Sequence, residues 1–124
     1  MNDTYKYKIE QIGPVYSIFV GSDQSGKITK EAKAKILSLC KRRFSSFTTV
    51  DAIGHFQGSP EQTMIIKIAS NRAAEIYELA NEIAIAHYQL GVGVCGPTGE
   101  NTFEYSRVIP DAYLERRCNH SFDY

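Results

Sequence analysis

The side chains that could do chemistry in this chain are few and scattered. Cys118 and His120 flank Asn119 and place two metal-ligand types close together, with Cys95 as a further thiol. A zinc site wants four ligands, usually with a CxxC-type clamp, and no clamp occurs. The chain is therefore expected to hold no metal and no other cofactor. Cys95, just before Gly96-Pro97, is the best-placed nucleophile, but a reactive thiol needs a cationic neighbour or a helix N-terminus. Neither stands beside it in the sequence, so a buried strand cysteine is the plainer reading. His55 falls in a strand-like run and His87 on an apolar helix face, where a hydrogen-bonded structural histidine is the ordinary expectation. No GxSxG motif occurs. Asp23, Asp51, Glu61, Glu100 and Glu104 are spread over separate loops and strands rather than paired. On these grounds the chain is expected not to be an enzyme.

The glycine-rich stretch from Gly91 to Gly99 has more to offer. It lacks the lysine and following helix of a P-loop, and the following helix of a dinucleotide fingerprint. Clustered glycines nonetheless let backbone N–H groups approach an anion closely. Gly96, Thr98 and Asn101 would supply loop contacts, with Asn101 able to read a base edge. Arg107, Arg116 and Arg117 follow and could clamp a phosphate bidentately. Tyr88, Phe103 and Tyr105 could stack on a base. The plain alternative is a hairpin loop with ordinary surface arginines. The basic run between Lys27 and Arg43 reads as a solvated helix face, or as a phosphate-facing patch if copies assemble.

The elements that must position these residues follow from periodicity. Tyr5 to Ile12 alternates and could be an edge strand, ended by Gly13-Pro14. Val15 to Val20 is β-branched and aromatic and reads as a strand. After the polar turn Gly21 to Gly26, Thr29 caps a helix whose buried face is Ala32, Ile36, Leu39, Cys40 and Phe44. Phe47 to Phe56 is the next strand, with Gly54 suggesting a bulge or a close backbone approach. Gly58 to Glu61 is a hairpin loop, and 62–69 returns antiparallel. Ser70 or Asn71 caps a second helix that runs to about Leu90. Its main apolar face is Ala73, Ile76, Tyr77, Ala80, Ile83, Ala84 and His87, while Glu75, Glu78 and Glu82 mark a wet face. Leu79, Ile85 and Ala86 lie off the main face, which suits an extra buried contact such as a dimer interface. Val92 to Cys95 and Thr102 to Ile109 complete the strands, and 110–124 is an aromatic tail.

This order predicts an α+β, ferredoxin-like domain: an antiparallel sheet with two helices on one face. The open sheet face must then be solvated or paired with another subunit. With 124 residues the chain is expected to be one domain, its tail packing on the domain or on a neighbouring subunit. Fourteen basic and fourteen acidic residues cancel, which argues against general nucleic-acid binding. No apolar run is long enough to span a bilayer, Met1 to Glu10 lacks a signal-peptide core, and three widely spaced cysteines make no disulfide framework. A cytoplasmic protein is expected.

Three segments together resemble a known family. They are Val15 to Gly21 leading into a capped helix, Asp51 to Gly58 running into Gln62 to Ile68, and the glycine-rich loop before Phe103-Glu104-Tyr105. The layout, over most of the chain, resembles the Thoeris anti-defence sponge proteins of phages and prophages. The resemblance implies a homo-oligomer that sequesters cyclic ADP-ribose-type signals without cleaving them. It also implies that cyclic oligonucleotides can be held at a second site, with bacterial anti-phage defence blocked. The functional expectation is thus sequestration of a small phosphorylated nucleotide in the host cytoplasm by a homo-oligomer, a dimer through the second helix or higher. The rivals are a small ferredoxin-like enzyme acting on a nucleotide through Cys95, His55 or His120, and an interaction module that blocks a protein.

Overall fold

The computed structural model describes residues 13–105 apart from 24, 88 and 90, with residues 91 and 103–105 as backbone. In chain order the elements are β1 (Val15–Val20), α1 (Lys30–Arg43), β2 (Thr48–Phe56), β3 (Ser59–Ala69), α2 (Ala73–Ala86), β4 (Gly91–Cys95) and β5 (Asn101–Tyr105). The strands form one antiparallel sheet in the order β2-β3-β1-β4-β5. The first four strands give the ferredoxin-like arrangement, with β1 and β3 inside, and β5 is added beyond β4. The expected edge strand over 5–12, the far end of the last strand over 106–109 and the tail over 110–124 lie outside the described residues.

Strand alternation decides which side chains meet the helices. Tyr16, Ile18 and Val20 are buried while Val15 and Phe19 are exposed, and Met64, Ile66 and Ile68 do the same on β3. The helices add Ile36, Leu39 and Cys40 from α1 and Ile76, Leu79, Ala80, Ile83 and Ala84 from α2. Each fully buried Ile or Leu contributes about 1.5–3 kcal/mol relative to an exposed one. Thr29 caps α1 as expected, its hydroxyl accepting from the Ala32 amide at 3.1 Å.

Several expectations shift by a few residues. The β2–β3 turn is Gln57-Gly58, both at positive φ (51° and 82°), the geometry that matches strand twist in a two-residue hairpin. Pro60 therefore belongs to β3, opposite His55. With Phe56 and Ser59 flanking the turn as the hydrogen-bonded pair, Pro60 falls at the next, non-bonded position, where its missing N–H is not called on. Gly54 makes no bulge, because pairing is continuous from Thr48↔Lys67 to Phe56↔Ser59, but Thr63 Oγ1 comes within 2.7 Å of where its Cβ would be. Helix α2 ends at Ala86 rather than near Leu90, and its N-cap position is Arg72. Ser70 still acts nearby, accepting the Arg72 amide at 2.9 Å. Leu79, off the main apolar stripe, is wholly buried inside this chain. Glu75, Glu78 and Glu82 are half-buried rather than wet. Arg43 at the end of α1 explains this, donating from Nε to Glu82 at 2.7 Å and from Nη1 to Glu75 at 3.4 Å. The Glu82 bond, and then Coulombic attraction from both glutamates, hold the guanidinium above its usual range.

Candidate functional site

The densest set of tied polar groups lies at the end of the sheet where β1 passes into α1. Ser22 is buried, and its hydroxyl donates to Glu61 Oε2 at 3.1 Å. The Gln89 side-chain amide donates to the Ser22 carbonyl at 3.0 Å. His87 Nε2 stands 3.1 Å from the Gly21 carbonyl, which can only accept, so this nitrogen is the protonated one. Thus Gly21 and Ser22 are clamped by the start of β3, by the C-cap of α2 and by the connection that follows it. The rest of the loop is tied to β3 as well. Gln62 donates its amide to the Gly26 carbonyl at 2.9 Å and accepts the Ile28 amide on Oε1 at 2.7 Å. Asp23 accepts from the Ser25 hydroxyl and amide, which lowers its carboxyl below the usual range.

Beside this corner a notch of about 220 Å³ opens between the first two turns of α1 and the end of α2, lined by Glu31, Ala32, Lys35, Ile36, Ala86 and His87. That is below the roughly 300–1,000 Å³ of typical small-molecule pockets, so within one chain it fits a fragment of a ligand. Half-buried His87 belongs to both the notch and the clamp. The corner combines a carboxylate, a hydroxyl, an imidazole and a primary amide, a set able to orient a polar ligand and move a proton. Among the described residues no group of three or more His, Cys, Asp or Glu is placed to hold a metal. Cys118 and His120 lie outside them.

The glycine-rich turn is at the opposite end of the sheet. Gly96 donates its amide to the Glu100 carbonyl at 2.8 Å, and Gly99 donates to the Gly96 carbonyl at 3.2 Å. The Glu100 carboxylate accepts from the Thr98 hydroxyl and lies where a side chain on Gly96 would be. The turn thus spends these amides on itself and faces Gly96 with negative charge. Thr98 and Asn101 are at that end, whereas Tyr105 pairs with Gly91 at the other. Tyr105 is four residue steps along β5 from Asn101, roughly 14 Å. The expected site is therefore divided between both ends of the sheet, with backbone alone described at Phe103 and Tyr105. Tyr88, Arg107, Arg116 and Arg117 lie outside the described residues. Cys95 is half-buried, its Sγ 3.7 Å from the Gly96 carbonyl. His55 is exposed on β2.

Sequence reasoning missed the Ser22–Glu61–His87–Gln89 corner because its members are up to 67 residues apart. One local signal was present: Gly21 to Lys27 follows a strand with G-x4-G-K spacing. The loop departs from a P-loop, since Ile28 replaces the hydroxyl residue and α1 starts only at Lys30.

No known family profile matches the chain, and no curated protein does. Among solved structures the chain is similar to a phage SAM lyase in the apo state. The TM-score is 0.59 and the identity 17%, covering 77% of this chain and 91% of that one. This comparison corrects the expectation that the chain is not an enzyme. That expectation rested on missing motifs, and the fold found here is one that a lyase uses.

Proposed function

We propose that this chain is an enzyme, a lyase that cleaves S-adenosylmethionine or a closely related adenosine compound, and that it serves phage anti-defence. The observation that carries the reading is the fold shared with a phage SAM lyase over 91% of that protein. The reading sharpens the small nucleotide-directed enzyme raised from sequence. An adenosine ligand offers a base to stack on Tyr88, Phe103 or Tyr105, and a carboxylate that Arg107, Arg116 or Arg117 could clamp bidentately. Thr98 and Asn101, at the far end of the sheet, would reach that ligand only from another copy of the chain.

A lyase breaks its bond without water or oxidant, so it needs orientation more than an activated nucleophile. In a sulfonium the positive charge fades as a carbon–sulfur bond breaks. A carboxylate such as Glu61 near the sulfur would bind the ground state at least as well as the transition state. Its role here is to hold the substrate. As the carbon–sulfur bond breaks, its electron pair stays on sulfur as the thioether, the neighbouring carbon gives its proton to Nδ1 of His87, the nitrogen not bonded to Gly21, and a carbon–carbon double bond forms.

The test is incubation of the purified chain with S-adenosylmethionine, followed by mass spectrometry. Loss of the sulfonium and gain of a neutral thioether nucleoside are expected, with His87→Gln lowering turnover by about 10²-fold and Glu61→Gln raising KM with little change in turnover, both staying folded. Cyclic ADP-ribose isomers and cyclic di- and trinucleotides, the ligands implied by the sponge resemblance, form parallel arms. An inert protein that returns every sulfonium and nucleotide intact refutes the proposal.

A further inference from the structure

We propose, resting on the lyase reading, that the notch between α1 and α2 is the subsite for the aminocarboxylate end of the substrate, where Glu31 takes the ammonium and Lys35 the carboxylate. The nucleoside product keeps the sulfur as a neutral thioether, so the bond that breaks joins sulfur to the amino-acid chain. Its electron pair stays on sulfur. The next carbon of the amino-acid chain loses a proton, and the pair of that carbon–hydrogen bond becomes the new carbon–carbon double bond. No water, oxidant or further reactant enters. His87 lines the notch and has Nε2 committed to the Gly21 carbonyl, which leaves Nδ1 as the proton acceptor. A base takes its proton within hydrogen-bond reach. The amino-acid chain that gives up the proton therefore lies in the notch.

Size and charge agree with this placement. At about 220 Å³ the notch is too small for a whole nucleoside sulfonium and large enough for its amino-acid end. Ala32, Ile36 and Ala86 line it with apolar surface suited to methylenes, and Glu31 and Lys35 add one charge of each sign. The two stand one turn apart on α1, their Cβ atoms roughly 5–6 Å from each other. Glutamate ahead of lysine at this spacing is the favourable order for a mutual ion pair. No such pair forms, and neither side chain is ion-paired with any other described residue. Lys33 on the same helix, which does not line the notch, is paired with Asp51 at 3.3 Å. An α-amino acid carries both charges on one carbon and can bridge Glu31 and Lys35. Lys35, rather than Arg107, Arg116 or Arg117, then takes the carboxylate. A rim with one charge of each sign also disfavours a phosphate, whose negative charge would face Glu31 with nothing to offer it.

The experiment is steady-state kinetics of the whole chain with S-adenosylmethionine and with its decarboxylated form, which keeps the ammonium and lacks the carboxylate. Glu31→Gln and Lys35→Gln, at exposed positions, should stay folded by circular dichroism. Each should raise KM for S-adenosylmethionine by about 10-fold with kcat little changed. The wild type should prefer S-adenosylmethionine to the decarboxylated form by about 10-fold in kcat/KM. Lys35→Gln should erase that preference, and Glu31→Gln should keep it. Binding of S-adenosylhomocysteine, which has the same end on an uncharged sulfur, gives a readout free of turnover. It should shift the amide resonances of Ala32, Lys35 and Ala86. Turnover with wild-type KM in both variants, or a preference that survives Lys35→Gln, overturns the subsite and leaves the lyase reading standing. Shifts at the notch in a chain that returns every sulfonium intact support the subsite and overturn the lyase reading. A chain with neither turnover nor shifts overturns both.

Discussion

Cys40 sits in the core with none of its surface exposed, and burial pushes its thiol from the ordinary 9.0 up to about 11. Raising the pH should therefore weaken the fold through this residue. The folded chain keeps the thiol protonated up to about pH 11, while the unfolded chain releases the proton from about pH 9. In that window only the unfolded state gains by ionising. The contribution is full below pH 9 and is lost as pH rises through 11. At about 1.36 kcal/mol per pKa unit the ceiling is roughly 2.7 kcal/mol, of which about 2 kcal/mol is lost by pH 11. The assay is urea unfolding of the wild type and Cys40→Ala, under reductant, at intervals between pH 8 and 11. Tyrosines, lysines and the remaining thiols titrate alike in both proteins and cancel. With m near the small-protein range of about 1–3 kcal/mol per molar, the wild-type midpoint should fall by about 1 M more than the variant's. Parallel midpoints across the whole range would refute the reasoning, because a thiol equally ionisable in both states adds no pH dependence.

Arg43 joins the two helices, so a double-mutant cycle of Arg43→Met and Glu82→Gln should give a coupling of about 0.5–1 kcal/mol that shrinks in added salt. Leu79→Ala should cost about 2–5 kcal/mol in chemical denaturation, as expected of a buried core side chain in a single chain. Gly58→Ala should lower stability by about 1 kcal/mol in thermal or urea unfolding, since alanine is strained at φ 82°, and Gly58→Asn should cost less.

Much of the fold was legible because its signals are local. Val15 to Val20 announces a strand by composition, and Thr29 with the 32-36-39-40 spacing announces α1 before any contact is known. The end of α2 was not legible. The run through His87 and Gln89 continues a helical pattern, and what stops the helix is tertiary, including the bonds from His87 to Gly21 and from Gln89 to Ser22. The wet face assigned to Glu75 and Glu82 failed for a similar reason, since spacing along one helix does not report the arginine on another. The glycine-rich turn was conspicuous by composition, yet its Gly96 and Gly99 amides close the hairpin. The polar corner at Ser22 and Glu61 is inconspicuous in every local window and exists only through pairing. A catalytic reading built on motif absence was weak in this fold for that reason.

The central position of β1 has a consequence for how the chain is made. Its partners come late: Ile18 pairs with Ile66 on one side and Val94 on the other. During synthesis at about 5–20 residues per second, Val15 to Val20 must wait several seconds before either neighbour leaves the ribosome. For that interval a charge-free segment of high β propensity stands unpaired, the composition that seeds cross-β stacking. Pro14 just ahead of it cannot donate to a ladder and so limits pairing on that side. Expression yield should depend on how quickly β3 follows, which makes the translation rate across 21–63 part of this protein's folding problem.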